Sequence, residues 1–132
     1  MSSREEKIAV VKTYMYEGLL QHKPEAVLFA EDCERWEMGY ITGGSGAELR
    51  ELLKDPAYEA NKAIHNPRWL VEGDYVDCRY DLELHDVPDT MRIASRYQVI
   101  DGLIKHIEVM ICAGAMQEFV MQSVAEMANR KT

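Results

Sequence analysis

Residues 73–112 read GDYVDCRYDLELHDVPDTMRIASRYQVIDGLIKHIEVMIC, and this stretch decides the fold. Val76, Cys78, Tyr80, Leu82 and Leu84 alternate with Asp77, Arg79, Asp81 and Glu83. Successive side chains on a strand point to opposite faces, so an apolar period of two marks a half-buried strand. Met91, Ile93, Ser95, Tyr97 and Val99 alternate in the same way with Arg92, Ala94, Arg96 and Gln98, and residues 103–112 form a third run. Between the runs, residues 85–89 carry Pro88 and read as a turn, and Asp101-Gly102 is a strong hairpin signal. Upstream, residues 68–71 are a strand candidate ended by the turn at Gly73-Asp74. Strands joined by turns this short pair antiparallel.

Helical patterns flank these strands. Ser2-x-x-Glu5 and Ser3-x-x-Glu6 are possible capping boxes ahead of Ile8, Val11, Met15 and Leu19, which fall at helical steps. Pro24 suits the first position of a second, short helix through Phe29. Residues 34–38 read as a strand, Gly39 to Gly44 as a glycine-rich loop, and Ser45-x-x-Glu48 as the cap of a helix carrying Leu49, Leu52 and Leu53, closed by Asp55-Pro56. Residues 58–66 carry no decisive pattern. Gly114 opens a last helix with Met116, Phe119, Val120, Val124 and Met127 on one face, which packs on the sheet or covers a pocket. Helices, then strands, then a helix make an α+β layout: a curved antiparallel sheet with helices on one side.

At 132 residues the chain is expected to be a single domain, 1–132, large enough to bury a real core. Its 15 Lys and Arg against 23 Asp and Glu give a net charge of −8, which argues against nucleic acid and against an anionic membrane surface. No apolar run approaches the ~18 residues of a membrane span, and the polar first residues are not those of a signal peptide. Cys33, Cys78 and Cys112 are odd in number and widely spaced, as expected of reduced thiols in a cytoplasmic protein. No His, Cys or Asp spacing suggests a metal site, and no cofactor is expected.

Taken in order, these pieces resemble the NTF2-like superfamily, the cone-shaped fold of the SnoaL-like polyketide cyclases, ketosteroid isomerase and limonene-epoxide hydrolase. The resemblance rests on Ala9-Val10-Val11-x-x-Tyr14, Pro24-Glu25-Ala26, Phe29-Ala30-Glu31-Asp32, Trp36-Glu37-Met38-Gly39, Glu72-Gly73-Asp74 and Asp101-Gly102-Leu103-Ile104. It implies N-terminal helices on the concave face of the sheet and a pocket within the cone. It further implies Tyr14 as the hydrogen-bond donor to a substrate carbonyl and Glu37 as the carboxylate that takes the neighbouring proton. The isomerase's second donor falls at Ser95, a departure from the acid found there in the family. Arg79-Tyr80-Asp81 resembles the Arg-x-Asp pair of limonene-epoxide hydrolase, whose further carboxylate aligns with Val109, a second departure.

Read alone, the charged face Asp77, Arg79, Asp81 and Glu83 meets solvent and the alternate face is core. The resemblance implies the inverse: Arg79 and Asp81 line the cavity, and a second copy of the chain hides the apolar face in a homodimer. Trp36, His65, Trp69, Ser95, Tyr97 and Val109 are the accompanying substrate-binding candidates, His65 being a possible proton shuttle. The expectation is a cofactor-free isomerase, dehydratase or cyclase acting by proton transfer on an apolar carbonyl compound. Epoxide hydrolysis or epoxide-opening cyclisation through Arg79 and Asp81, and a non-catalytic dimeric module, are the alternatives.

Overall fold

The computed structural model describes residues 3–129; the Ser2-x-x-Glu5 capping box therefore lies outside the described residues. Helix α1 (Arg4–Lys12) starts at Ser3, whose hydroxyl accepts from the Glu6 amide at 3.2 Å while the Glu6 carboxylate takes the Ser3 amide at 3.4 Å. The helix then widens into a π-type segment, Thr13–Leu20, which buries Tyr14, Met15 and Gly18. Gly18 is needed for close approach: a Cβ there would lie 3.2 Å from Val27 and 3.3 Å from Leu53. The second helix expected after Pro24 is a single 3-10 turn, Pro24–Ala26, because the chain leaves at once into a strand.

That strand, β1 (Phe29–Glu37), is longer than residues 34–38 suggested. It turns through Met38 and Gly39, both at positive φ, into β2 (Tyr40–Gly43), where a glycine-rich loop was expected. Helix α2 (Gly46–Leu52) follows, capped by Ser45 as expected. The undecided stretch holds a 3-10 turn, Pro56–Ala60, and the start of β3 (Asn61–Glu72). β4 (Tyr75–Leu84), β5 (Met91–Ile100) and β6 (Leu103–Cys112) then run as a meander, and α3 (Gln117–Asn129) closes the described chain. Asp101 and Gly102, at φ 53° and 77°, make the expected hairpin turn.

The six strands form one curved sheet in the order β2-β1-β6-β5-β4-β3. It is mixed rather than purely antiparallel, because β1 pairs parallel with β6. The meander enters at the far edge and returns to β1 only with its last strand, which runs the same way as the first. α1 and its π-type extension pack on the inner face, where Ile8, Val11, Tyr14 and Met15 meet Val76, Cys78, Tyr80, Ile93, Tyr97, Val99 and Ile107. The face of β4 that a second copy was expected to hide is thus covered within the chain. A smaller cluster under α3 joins Ala113, Val120 and Val124 with Met38, Ile111 and Met127. Phe119 is 62% exposed and lies off the buried face of α3.

Candidate active site

Strand alternation turns Cys33, Arg35 and Glu37 of β1 inward and Glu34 and Trp36 outward. Arg35 is thereby buried, with 1% of its surface exposed. A charge so placed is costly unless paired and hydrogen-bonded. The guanidinium is surrounded accordingly. Its Nε donates to Thr42 Oγ1 on β2 at 3.0 Å, and its Nη1 to the Tyr14 hydroxyl at 3.2 Å. Its Nη2 donates to the Tyr58 hydroxyl at 2.7 Å and meets Glu37 Oε1 at 3.1 Å. Thr42 in turn donates to Glu37 Oε1 at 2.8 Å. The Glu37 side chain is 12% exposed, so it forms the edge of the cluster that water reaches.

The titration of these groups follows from their burial. Burial alone works against a charged Arg35, but Glu37, Tyr58 and Tyr14 outweigh it and hold the guanidinium protonated, with a pKa well above its ordinary value. Burial pushes the phenols of Tyr14 and Tyr58 up, in both cases against the opposing pull of Arg35. Both therefore stay protonated across the neutral range. They accept from Arg35 and keep their own protons for donation.

Tyr14 and Glu37, the two residues expected to work together, are indeed brought to one place, with Arg35 between them. Arg35, Thr42 and Tyr58 were missed. The available signal was parity: Arg35 shares its strand face with Cys33 and Glu37, so once one faces inward all three do.

Arg79 and Asp81 are not part of this cluster. On β4 the buried side chains are Val76, Cys78, Tyr80 and Leu82, while Arg79 is exposed and Asp81 half-buried on the opposite face. The expectation that the charged face lines the pocket is corrected: α1 lies on the apolar face, and Asp77 meets Arg96 at 2.8 Å in an ion pair on the outer surface. The Trp36 indole is also on the outer side and donates to Glu34 Oε1 at 3.2 Å. His65 is a surface residue, 2.8 Å from Glu83 Oε1, with no path to the cluster through this contact.

Ser95, Tyr97 and Val109 do face inward. The Ser95 hydroxyl donates to the Cys78 carbonyl at 2.8 Å, and Val109 is buried among apolar neighbours. Tyr97 stands edge-on to Tyr14, ring centres 5.7 Å apart. Its buried hydroxyl lies toward Ser95, which eases the burial-driven rise of its pKa, but makes no full hydrogen bond to a described residue. Trp69 is half-buried on the inner face, with the Lys12 ammonium 6.0 Å from its ring centre. Among the described residues no three His, Cys, Asp or Glu side chains gather in a metal-binding group, and no helix is long and apolar enough to cross a membrane.

A family model described as a domain of unknown function, DUF8021, matches residues 1–111. The chain belongs to the DUF8021 family. The match ends inside β6, ahead of α3. No curated protein matches the chain. Solved structures show what the fold of this DUF8021 chain is like. One is a de novo designed protein with a curved β-sheet, with TM-score 0.75 and 19% identity over 95% of this chain and 98% of that one. An NTF2-like protein from Burkholderia xenovorans has TM-score 0.67 and 18% identity over 88% and 96%. A provisionally named ketosteroid isomerase from Kribbella flavida has TM-score 0.68 and 18% identity over 83% and 79%. At these identities the likeness is one of fold: this DUF8021 chain has the NTF2-like α+β cone.

Proposed function

We propose that the protein is a cofactor-free enzyme that moves a proton on a small, carbonyl-bearing molecule. The observation that carries this reading is the convergence of a carboxylate, a guanidinium and two protonated phenols, all within 3.2 Å of Arg35. Glu37 is the carboxylate at the accessible edge, and both of its contacts within the cluster fall on Oε1. It is placed to take a proton from carbon. Phenols braced by a buried cation supply fixed hydrogen-bond donors where negative charge develops on the carbonyl oxygen, the usual largest contribution to such catalysis. Arg35 positions both halves: it holds the Glu37 carboxylate and polarises the hydroxyls of Tyr14 and Tyr58.

The test is Glu37→Gln. The amide keeps the size and hydrogen-bonding capacity but cannot take a proton. Exchange of α-hydrogens of ketones in D2O, followed by NMR, should fall by two to four orders of magnitude in the variant. Unchanged exchange would refute the role of Glu37.

A second reading is a non-catalytic binding module. It is favoured by the way Val99, Ile107 and Val109 fill the interior of the cone, all nearly inaccessible. Under that reading, of a dimeric association module, the α-hydrogens of ketones exchange no faster than in water.

A further inference from the structure

The donor that closes the cluster is aimed at a poor acceptor. The Tyr58 hydroxyl receives Arg35 Nη2 at 2.7 Å and sends its own proton toward the Met127 thioether of α3, O to S 3.7 Å. The same sulfur lies 4.0 Å from Arg35 Nη2. That nitrogen gives one hydrogen to Tyr58 and turns the other toward the sulfur, so Met127 receives both Arg35 and Tyr58. A thioether is a weak acceptor, whereas a phenol that itself accepts from a cation is a strengthened donor. Two donors of the cluster thus end on a weak acceptor.

Met127 has a second side. It forms part of the lining of an open groove of about 630 Å³ between α2 and α3, with Ala47, Leu52, Glu51 and Asp55 among the other walls. Met127 therefore touches both the groove and, through its sulfur, the Tyr58 hydroxyl.

We propose that the Tyr58 hydroxyl is the seat of a neutral carbonyl oxygen, which enters by the groove between α2 and α3 and takes the place of the Met127 sulfur. Charge decides the class of ligand. Arg35 and Glu37 already neutralise each other, so an incoming carboxylate would add an uncompensated charge. Its route would also pass a groove lined by Glu48, Glu51 and Asp55 against one cation, Lys54, which is paired with Glu51 at 3.0 Å, in a chain of net charge −8. A ketone, ester or lactone meets neither obstacle. Glu37 Oε1 lies 3.1 Å from the nitrogen that also holds Tyr58, so an oxygen seated on Tyr58 brings its neighbouring carbon toward the base. The inference deepens the proton-transfer reading, but it concerns binding and stands without turnover.

Two measurements test it. Met127→Gln places an amide carbonyl on the same side chain, and Met127→Leu places none. The urea midpoint of Met127→Gln should exceed that of Met127→Leu, and this advantage should disappear when both are combined with Tyr58→Phe. In Met127→Ala, which leaves the seat open, the probes are cyclopentanone and methylenecyclopentane, alike in shape and differing in the oxygen. The preference for the ketone, read from shifts of the melting temperature, should drop about tenfold on adding Tyr58→Phe, the change expected for one lost hydrogen bond. A preference that ignores Tyr58, no binding of either probe, or a Met127→Gln stability independent of Tyr58 overturns the seat. Loss of the Glu37 role leaves all these readouts unchanged, so the two ideas fail separately.

Discussion

Replacing Arg35 by methionine is the sharpest test of what the cluster does for the fold. Methionine matches the length of the arginine stem and removes the guanidinium with its charge, donors and volume. Glu37 would then keep its carboxylate with Thr42 as its remaining partner, and Tyr14 and Tyr58 would lose the bonds at 3.2 and 2.7 Å that they now receive. Removing one partner of a buried ion pair costs ~3–5 kcal/mol. The 12% exposure of Glu37 lets water relieve part of this, which puts the expected loss at the lower end, about 3 kcal/mol. Such a domain holds ~5–15 kcal/mol in all. With a urea slope of about 2 kcal/mol/M, the midpoint should fall by about 1.5 M. Arg35→Met with Glu37→Leu removes both charges, and replacing a buried pair by apolar side chains is often neutral. The double variant should therefore recover at least half of the loss. A single variant that costs under ~1 kcal/mol, or a double variant no better than the single, would refute the view of Arg35 as a charge stabilised by Glu37.

Alkaline stability gives a second prediction. Burial raises the phenol pKa values of Tyr14, Tyr58, Tyr80 and Tyr97 above the unfolded value near 10. The folded state then binds protons that the unfolded state releases, so this contribution is intact below pH 10 and lost as pH climbs toward the folded values, at about 1.4 kcal/mol per tyrosine per pH unit. Loss of circular dichroism should coincide with phenolate absorbance; phenolate from these residues appearing ahead of unfolding would count against it. Tyr97→Phe removes a buried hydroxyl without a described partner and should be neutral or stabilising by up to ~1 kcal/mol in urea unfolding; a loss beyond 1 kcal/mol would show that the hydroxyl is satisfied. Arg79→Gln and Asp81→Asn, on the outer face, should change stability by less than ~0.5 kcal/mol and leave ketone exchange intact.

The legible parts of the sequence were those where one physical rule acts alone. Alternation across 75–84 and 91–100 gave the meander and its buried face, and Asp101-Gly102 gave a turn that demands two left-handed residues. The resemblance to cavity-bearing relatives pointed the other way for Arg79 and Asp81, and plain alternation was the better guide: this charged face stays toward water, where Asp77 and Glu83 meet Arg96 and His65. The β1–β2 hairpin escaped because its first left-handed residue is Met38, at φ 52°, a conformation methionine rarely takes. Arg35 escaped because an arginine between Glu34 and Trp36 reads as surface. Only the pairing of β1 with β6, some 70 residues apart, turns it inward beside Tyr14, and no local pattern encodes that pairing.

That pairing also sets an order of events in time. β1 and β2 can close on each other early, but the inner edge of β1 waits for Ile104, Ile107 and Val109 of the final strand. Closing so long a loop is slow, in the range of milliseconds to seconds for domains dominated by distant contacts. Burial of Arg35 and loss of its water are tied to that pairing, which brings sheet, tyrosines and carboxylate together. A ribosome must release β6 before that step can begin, and a nascent chain stalled ahead of β6 would leave β1 as an unpaired edge open to association with other chains.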